Sequence, residues 1–534
     1  MRRFHSYGPV DCEEHFCVPR TDLVDTCVRR LVGNVEKGGH YFTIWAPRQN
    51  GKTWLMRQAI QNIEATHADR FAVRRLSLGG LRDAASQAPA GLPGNEPVPL
   101  SLEKLLRREL PDSPGPIRDW QDFAGLFAKD GGLWDRPLIL LIDEVDTLAP
   151  DLLDMMVAQF RELYLNRESN YLHGLALVGV RAVLGVDSLR GSPFNIQRSL
   201  RVPNFDREEV ADLFDQYQTE SGQVVAPAVV ENVYESTRGQ PGLVCWFGEL
   251  LTETYNPGTG KPIDLDAWTD VMTAAIHKEW NNTILNLLAK AKGPYQGRVI
   301  ELFHKSDIPF TIQAEWCGYL YLNGIIEEEK VVSGSGEKSY ICRFSSPFVQ
   351  RTLYNGLTLD IVGDRLPILA LSPLDDLADV FSGPELDLPA LLTRYKDYLK
   401  RLRAKGLNPW KDQPRRADLH LTEAVGHFHL YAWLKEAVED QCVVSPEFPT
   451  GNGKVDLHLR CGAKRGIVEV KSFKSRAKVQ SARKQAADYA RRMGLSAVVL
   501  ALFVPVEDEE VLQELSGVDH VNGVETTTVA IGWA

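Results

Sequence analysis

No stretch of this 534-residue chain is long and apolar enough to cross a bilayer. The longest mostly apolar run, Leu495 to Val506, is broken by Ser496 and Pro505 and falls well short of the ~20 residues a spanning helix needs. No apolar leader follows the basic start Met1-Arg2-Arg3, so no membrane partner is expected and the cytoplasm is the expected location. The eight cysteines, Cys12, Cys17, Cys27, Cys245, Cys317, Cys342, Cys442 and Cys461, include no CxxC pair, and reduced thiols are expected rather than a disulfide framework. Zinc is not expected either: Cys12, His15 and Cys17 lack a fourth ligand, and His427, His429 and His458 have no partner at zinc spacing. Positive charge is also in short supply. With 60 Lys and Arg against 71 Asp and Glu, the net charge of −11 excludes a wholly basic nucleic-acid coat.

What the chain does have is ordinary globular composition, 44% apolar and 25% charged, with enough length for several domains. Tyr41 to Ala46 reads as a strand, and Trp54 to Ile60 as the start of a helix. Between them, Ala46-x4-Gly51-Lys52-Thr53 fits a P-loop with Ala at the opening position. Such a loop cradles phosphate on its backbone N–H groups, brings Lys52 to the β- and γ-phosphates and sets the Thr53 hydroxyl on Mg²⁺. Pro137 to Ile142 is an unbroken apolar strand ending in Asp143-Glu144, where parallel α/β sheets bind ligands. Asp143 is then the Walker B residue holding Mg²⁺, and Glu144 orients or deprotonates the attacking water. A third buried strand, Leu175 to Val180, ends at Arg181, a candidate sensor of the terminal phosphate.

The segment Pro193-Phe194-Asn195-Ile196, the Gly239-Gln240-Pro241 motif, Phe16-Cys-Val-Pro-Arg20 and the loop Arg48-Gln49-Asn50-Gly51-Lys52 resemble those of the prokaryotic AAA-like ATPases related to the STAND and archaeal-ATPase groups. The likeness spans about residues 7 to 255. It implies ATP as cofactor, a cradle made of Gln49, Asn50, Gly51, Lys52 and Thr53, and a helical lid in which Gln240 and Pro241 pack near the nucleotide. Arg190, Arg198 and Arg201 are the candidate arginine fingers, and subunit or partner contacts are expected through the ATPase and middle regions. Residues 271–360 carry two helical patterns and a Gly/Ser turn before a strand, similar to the winged helix that follows the lid in related ATPases. The acidic run Glu327-Glu-Glu329 argues for packing there rather than DNA reading.

Near the C-terminus, Lys454 to Arg460 and Ile467 to Lys471 read as a hairpin that brings Asp456 beside Glu469 and Lys471. Two carboxylates and the Val470 carbonyl make a hard-oxygen site for Mg²⁺, and Lys471 is placed to orient the water that attacks a phosphodiester. Asp456-x12-Glu469-Val470-Lys471 resembles the PD-(D/E)xK nuclease pattern over residues 415–534. That resemblance implies Glu423 as an additional acid and Gln485-x3-Tyr489 as the accessory pair of the RecB-like branch. Lys464 to Arg492 holds ten basic residues and two acidic ones, a candidate footprint for a phosphate backbone.

The expected class is therefore α/β: a P-loop doubly wound parallel sheet (1–205) with a helical lid (206–270), a winged-helix-like middle domain (271–360), a helical connector (361–414) and a mixed α/β PD-(D/E)xK nuclease fold (415–534). The expected function is an ATPase-coupled, Mg²⁺-dependent nuclease acting on DNA. The resemblance alone places it in prokaryotic defence or DNA processing. The competing readings are a nucleotide-driven scaffold whose nuclease fold binds without cutting, and a translocating motor.

Overall fold

A computed structural model describes residues 1–79, 98, 100–110, 115–179, 199–258, 260–303, 308–332, 338–362, 370–371, 377–410, 418, 420–438, 441–449 and 454–533. Arg181, Arg190, Arg198 and the segment 193–196 lie outside them, as does the Gly/Ser turn at 333–336. The chain forms two compact units: Met1–Leu285 with Tyr321–Ile325, and Asn286–Leu320 with Ile326–Ala534.

In the first unit, β1 (Tyr41–Trp45), β2 (Ala72–Ser77), β3 (Leu138–Asp143), β4 (Leu172–Gly179) and β5 (Leu200–Arg201) form one parallel sheet in the order β2-β3-β4-β1-β5. Alternate residues of β3 and β4 enter different cores, as a sheet covered on both faces requires. Leu138, Leu140 and Ile142 pack with Leu153, Met156 and Phe160 of the helix Pro150–Leu165, whereas Ile139 and Leu141 pack with Leu55, Met56 and Ala59 of the helix Lys52–His67. Every residue of β1, β3 and β4 is buried, and all but Thr43, Asp143 and His173 of them are apolar or glycine. The helix Arg207–Ser221 opens on a capping box between Asp206 and Glu209, and the helices Pro227–Thr237 and Pro241–Glu249 follow.

The second unit holds a hairpin, β6 (Ile326–Val332) and β7 (Lys338–Phe344), and a six-stranded mixed sheet. Glu327 to Glu329 lie on β6, where Glu329 pairs with Arg343 across the hairpin. The sheet runs β12 (Gly517–Val521), β13 (Val524–Gly532), β11 (Ala497–Val504), β10 (Lys464–Ser472), β9 (Lys454–Cys461), β8 (Val443–Pro449). Its central trio, β10, β11 and β13, is parallel, and the outer strands are antiparallel. The helix Arg476–Arg492 covers one face, burying Val479, Ala482, Ala486 and Ala490. The nearly all-buried helix Glu423–Val438 packs on β10 and on the helix Pro347–Val362.

The cysteines need a correction. Cys12 is bonded to Cys17, and Cys442 to Cys461; Cys27, Cys245, Cys317 and Cys342 are buried thiols. Local geometry explains both pairs. A turn whose Glu14 and His15 N–H groups donate to the Asp11 carbonyl closes Cys12 on Cys17, and pairing of Val443 with Arg460 sets the two preceding and following cysteines 4.2 Å apart at Cα. A spacing rule that looks for CxxC does not see a bridge made by strand register.

Gly426 sits where the helix Glu423–Val438 meets β11, and an added Cβ would lie 2.7 Å from a ring carbon of Phe503. Gly426→Ala is expected to destabilise the second unit by about 1–3 kcal/mol through overpacking. Gly297→Ala, on an open helical surface, is expected to stabilise it by roughly 0.5–1 kcal/mol. Urea unfolding of the two variants measures both, and equal effects would contradict this packing.

Candidate functional site

The first site is built at the C-terminal end of the parallel sheet. The helix Lys52–His67 begins at Gly51, whose φ of 81° suits glycine, and aims its N-terminal N–H groups and dipole at the loop from Ala46. Gln49, also left-handed at φ 58°, is held by a hydrogen bond from the Gly242 N–H to its carbonyl at 3.1 Å and by a bond between its side chain and Thr283. Lys52 folds back, donating to the carbonyls of Ala46 (2.8 Å) and Pro47 (2.6 Å). Burial pulls its ammonium down to about 8, against the upward pull of Asp146 and Asp143. A buried ammonium whose charge is opposed by desolvation gains from an incoming phosphate.

Asp143 is 4% exposed, and its Oδ2 accepts from the Thr53 hydroxyl and the Arg75 guanidinium, each at 3.2 Å. Glu144, left-handed at φ 58°, accepts from Ser77 Oγ at 3.2 Å. Gln240 caps the helix Pro241–Glu249 and donates to the Arg48 carbonyl at 3.1 Å and to Asn50 Oδ1 at 3.3 Å. Asn50 donates to Asn204 at 2.7 Å. The start of the helix Pro241–Glu249 and the loop therefore share one hydrogen-bond network, and Gly242 permits it because a Cβ there would meet Gln49 Oε1 at 2.6 Å. A cavity of about 620 Å³ opens between them, lined by Lys52, Thr53, Asp143, Glu144 and Pro241 among others. The cavity, the free helix N-terminus and the Thr53–Asp143 pair suit a nucleotide with its cation. Arg201, by contrast, lies over the rings of Trp45 and Tyr321.

The second site forms where β9 and β10 part. Their ladder runs from Lys464↔Cys461 to Val468↔Leu457, and beyond it the Asp456 carboxylate accepts the Val470 N–H at 2.6 Å. Lys471 Nζ lies 2.8 Å from Glu469 Oε1, 3.1 Å from the Val470 carbonyl, 3.4 Å from Asp456 Oδ2 and 3.9 Å from Glu423 Oε2. The ammonium thus sits among the oxygens expected to hold a divalent cation. Glu469 is 1% exposed, and its Oε2 is buried without a hydrogen-bond partner. Hard oxygen donors around a resident cation, one of them unsatisfied, fit Mg²⁺. Among the described residues no three His, Cys, Asp or Glu side chains are spaced as a preformed cage. Burial, and then Asp456, raise the Glu469 carboxyl to about 7. Burial acts to lower the Lys471 ammonium, but Asp456, Glu469 and Glu423 together outweigh it and hold the group above its ordinary value.

His427, which has no partner at zinc spacing in the sequence, is buried, accepts from the Tyr354 hydroxyl (2.8 Å) and donates to the Asp456 carbonyl (2.9 Å). Burial lowers its pKa, which agrees with a neutral ring in that tautomer. Gln485 donates to Tyr489 at 2.9 Å on the exposed side of the helix Arg476–Arg492. The basic strip is not one uniform face: Lys464 donates to the Phe381 and Gly383 carbonyls, and Arg476, Arg483 and Arg491 pair with Glu514, Asp519 and Asp488. Lys478 and Lys484 are exposed on the helix.

A domain of unknown function, DUF8371, matches residues 418–504, the span that carries Glu423, Asp456, Glu469 and Lys471. No curated protein sequence matches the chain. Among solved structures, a Walker-type ATPase of Pyrococcus abyssi is similar at 18% identity and a TM-score of 0.40, covering 66% of this chain and 99% of that one. The Aeropyrum pernix ORC2 protein, in ADPNP and ADP complexes, is similar at 13% identity and a TM-score of 0.40, covering 65% and 95%. The Thermotoga maritima RuvB Holliday junction branch migration motor is similar at 13% identity and a TM-score of 0.32, covering 60% and 92%. The parallel sheet, its strand order and the loop from β1 to the helix Lys52–His67 give the first unit a P-loop type α/β fold.

Because the folded pKa of Glu469 lies above the 4.5 of an ordinary glutamate, the native state binds an extra proton between about pH 4.5 and 7 and loses stability as pH rises through that window. In EDTA, the stability of the wild type relative to Glu469→Gln is expected to fall from pH 5 to pH 7 and to level off above it. Urea unfolding at four pH values measures the difference, and a flat one would place Glu469 in solvent.

Proposed function

We propose that this chain is an ATPase coupled to a Mg²⁺-dependent nuclease that cleaves DNA. The observation that carries the nuclease half is the meeting of Lys471 with Glu469, Asp456 and Glu423 at the fork between two strands. Asp456, Glu469 and the Val470 carbonyl hold the metal, which when bound polarises the phosphodiester and acidifies water. Lys471, released from the carboxylates, orients the attacking water and meets negative charge as it develops on the phosphate. Glu423 is the further acid beside them, Gln485 with Tyr489 steadies the nucleic acid, and the exposed lysines of the strip hold its backbone.

In the first unit, Gln49 to Thr53 cradle the phosphates of ATP, and Thr53 with Asp143 holds its Mg²⁺. Glu144 accepts a proton from the attacking water. The lid responds through Gln240 and Gly242, which bond to the loop, and Pro241, which lines the cavity beside them. Domain limits at 205, 270, 360 and 414, a winged helix in the middle region and assembly through the ATPase and middle regions complete the reading, with a role in prokaryotic defence or DNA processing.

A second reading keeps the nuclease fold as a platform that binds without cutting. It draws on the ion pair of Lys471 with Glu469, which places an ammonium among the carboxylates. Plasmid nicking with Mg²⁺, with and without ATP, separates the two. Wild type is expected to nick, and Lys471→Ala to lose at least about 100-fold of that rate. No nicking by wild type under any nucleotide would leave the platform reading standing. For the ATPase half, Glu144→Gln is expected to bind ATP and turn it over about 100-fold more slowly. Turnover at the wild-type rate would remove Glu144 from its role.

A further inference from the structure

We propose that Arg75 is an arginine of the nucleotide site acting within its own chain: it pairs with Asp143 and moves to the terminal phosphate once a metal-bound nucleotide engages Asp143. The proposal rests on the ATP-binding reading above. Arg75 lies on β2, whose residue Ser77 is in register with Asp143 on β3. Arg75 and Ser77, two residues apart, share a face of the strand. That face supplies one partner to each acid at the end of β3: Ser77 Oγ reaches Glu144 at 3.2 Å and Arg75 Nη2 reaches Asp143 Oδ2 at 3.2 Å. The same Asp143 oxygen takes the Thr53 hydroxyl, so the guanidinium now stands beside the two groups a cation would join.

The arginine is held in a way that permits release. Its side chain is 34% exposed, it lines the cavity, and its Nε is buried without a hydrogen-bond partner, leaving a donor unspent. Its neighbour Arg74 is turned away, over the ring of Trp134. Another arginine of the cavity, Arg20, is fixed to Glu209 and to the carbonyls of Pro203 and Asn204. A divalent ion competing for Asp143 takes over from a single, partly exposed guanidinium, so the buried carboxylate is never left without a cation. The freed guanidinium, a planar fork of donors, then faces an anion in the same cavity.

Fluorescent mant-ADP and non-hydrolysable mant-AMPPNP are titrated onto the full chain in Mg²⁺, and melting of each variant is followed alongside. Wild type is expected to prefer the triphosphate analogue. Arg75→Ala and Arg75→Gln are expected to weaken mant-AMPPNP by about tenfold or more, the worth of a charge-assisted bond to phosphate, and mant-ADP by less than about twofold. Arg75→Lys keeps the charge and is expected to retain part of the preference, so the test survives an alanine variant that fails to fold. Equal weakening of both nucleotides, or no change in either, would make Arg75 a structural partner of Asp143 and overturn the proposal. Wild type that binds neither nucleotide would overturn the ATP reading, and the role of Arg75 with it.

Discussion

A carboxylate buried to 1% exposure needs a partner for its charge, and in the second unit the ammonium of Lys471 offsets part of the desolvation of Glu469. The local architecture follows from this requirement. β9 and β10 separate after Leu457 and Val468, the Asp456 side chain takes the place of a backbone acceptor for Val470, and the helix Glu423–Val438 supplies one more acid at 3.9 Å. His427 fixes the Asp456 backbone from behind, with Tyr354 completing its hydrogen bonds. One cation and three acids hold a strand fork open, and a fork held open is a place for a ligand.

The same constraint shapes the first unit. Asp143, 4% exposed, is neutralised by Arg75 and bonded by Thr53, and Lys52 is bound to the carbonyls of its own loop. Both sites carry their own positive charge before any metal or phosphate arrives. In the proposed function, ligand binding in either exchanges one cation or anion partner for another, with no bare charge left in a poor dielectric. The helix Pro241–Glu249 shares this network through Gln240 and Gly242, and Asn204 joins it, since they bond to Arg48, Gln49 and Asn50.

The parts of the chain that could be read from sequence are those where a single strand or turn carries the signal. β1 and β3 are almost wholly apolar because both faces of the sheet are covered, and β9 with β10 alternates around a tight turn. Asp456, Glu469 and Lys471 meet because that turn fixes the register. β2 was missed: Arg74 and Arg75 interrupt its apolar pattern, and Arg75 went with it. β8 was missed because Pro446 and Pro449 argue against a strand, yet an edge strand with one side unpaired tolerates them. The Cys442–Cys461 bridge depends on β8 and was lost for the same reason. His427 needed the packing of a helix against a distant strand, which no local pattern encodes.

The central claim is that the fork at the end of β10 exchanges its resident ammonium for a divalent ion. A crystal of the full chain grown with Mn²⁺ and measured at the manganese edge tests it most directly. The account expects anomalous density bounded by Asp456, Glu469 and the Val470 carbonyl, with Lys471 withdrawn from Glu469. Density elsewhere, with Lys471 still lodged between the carboxylates at saturating Mn²⁺, would contradict it.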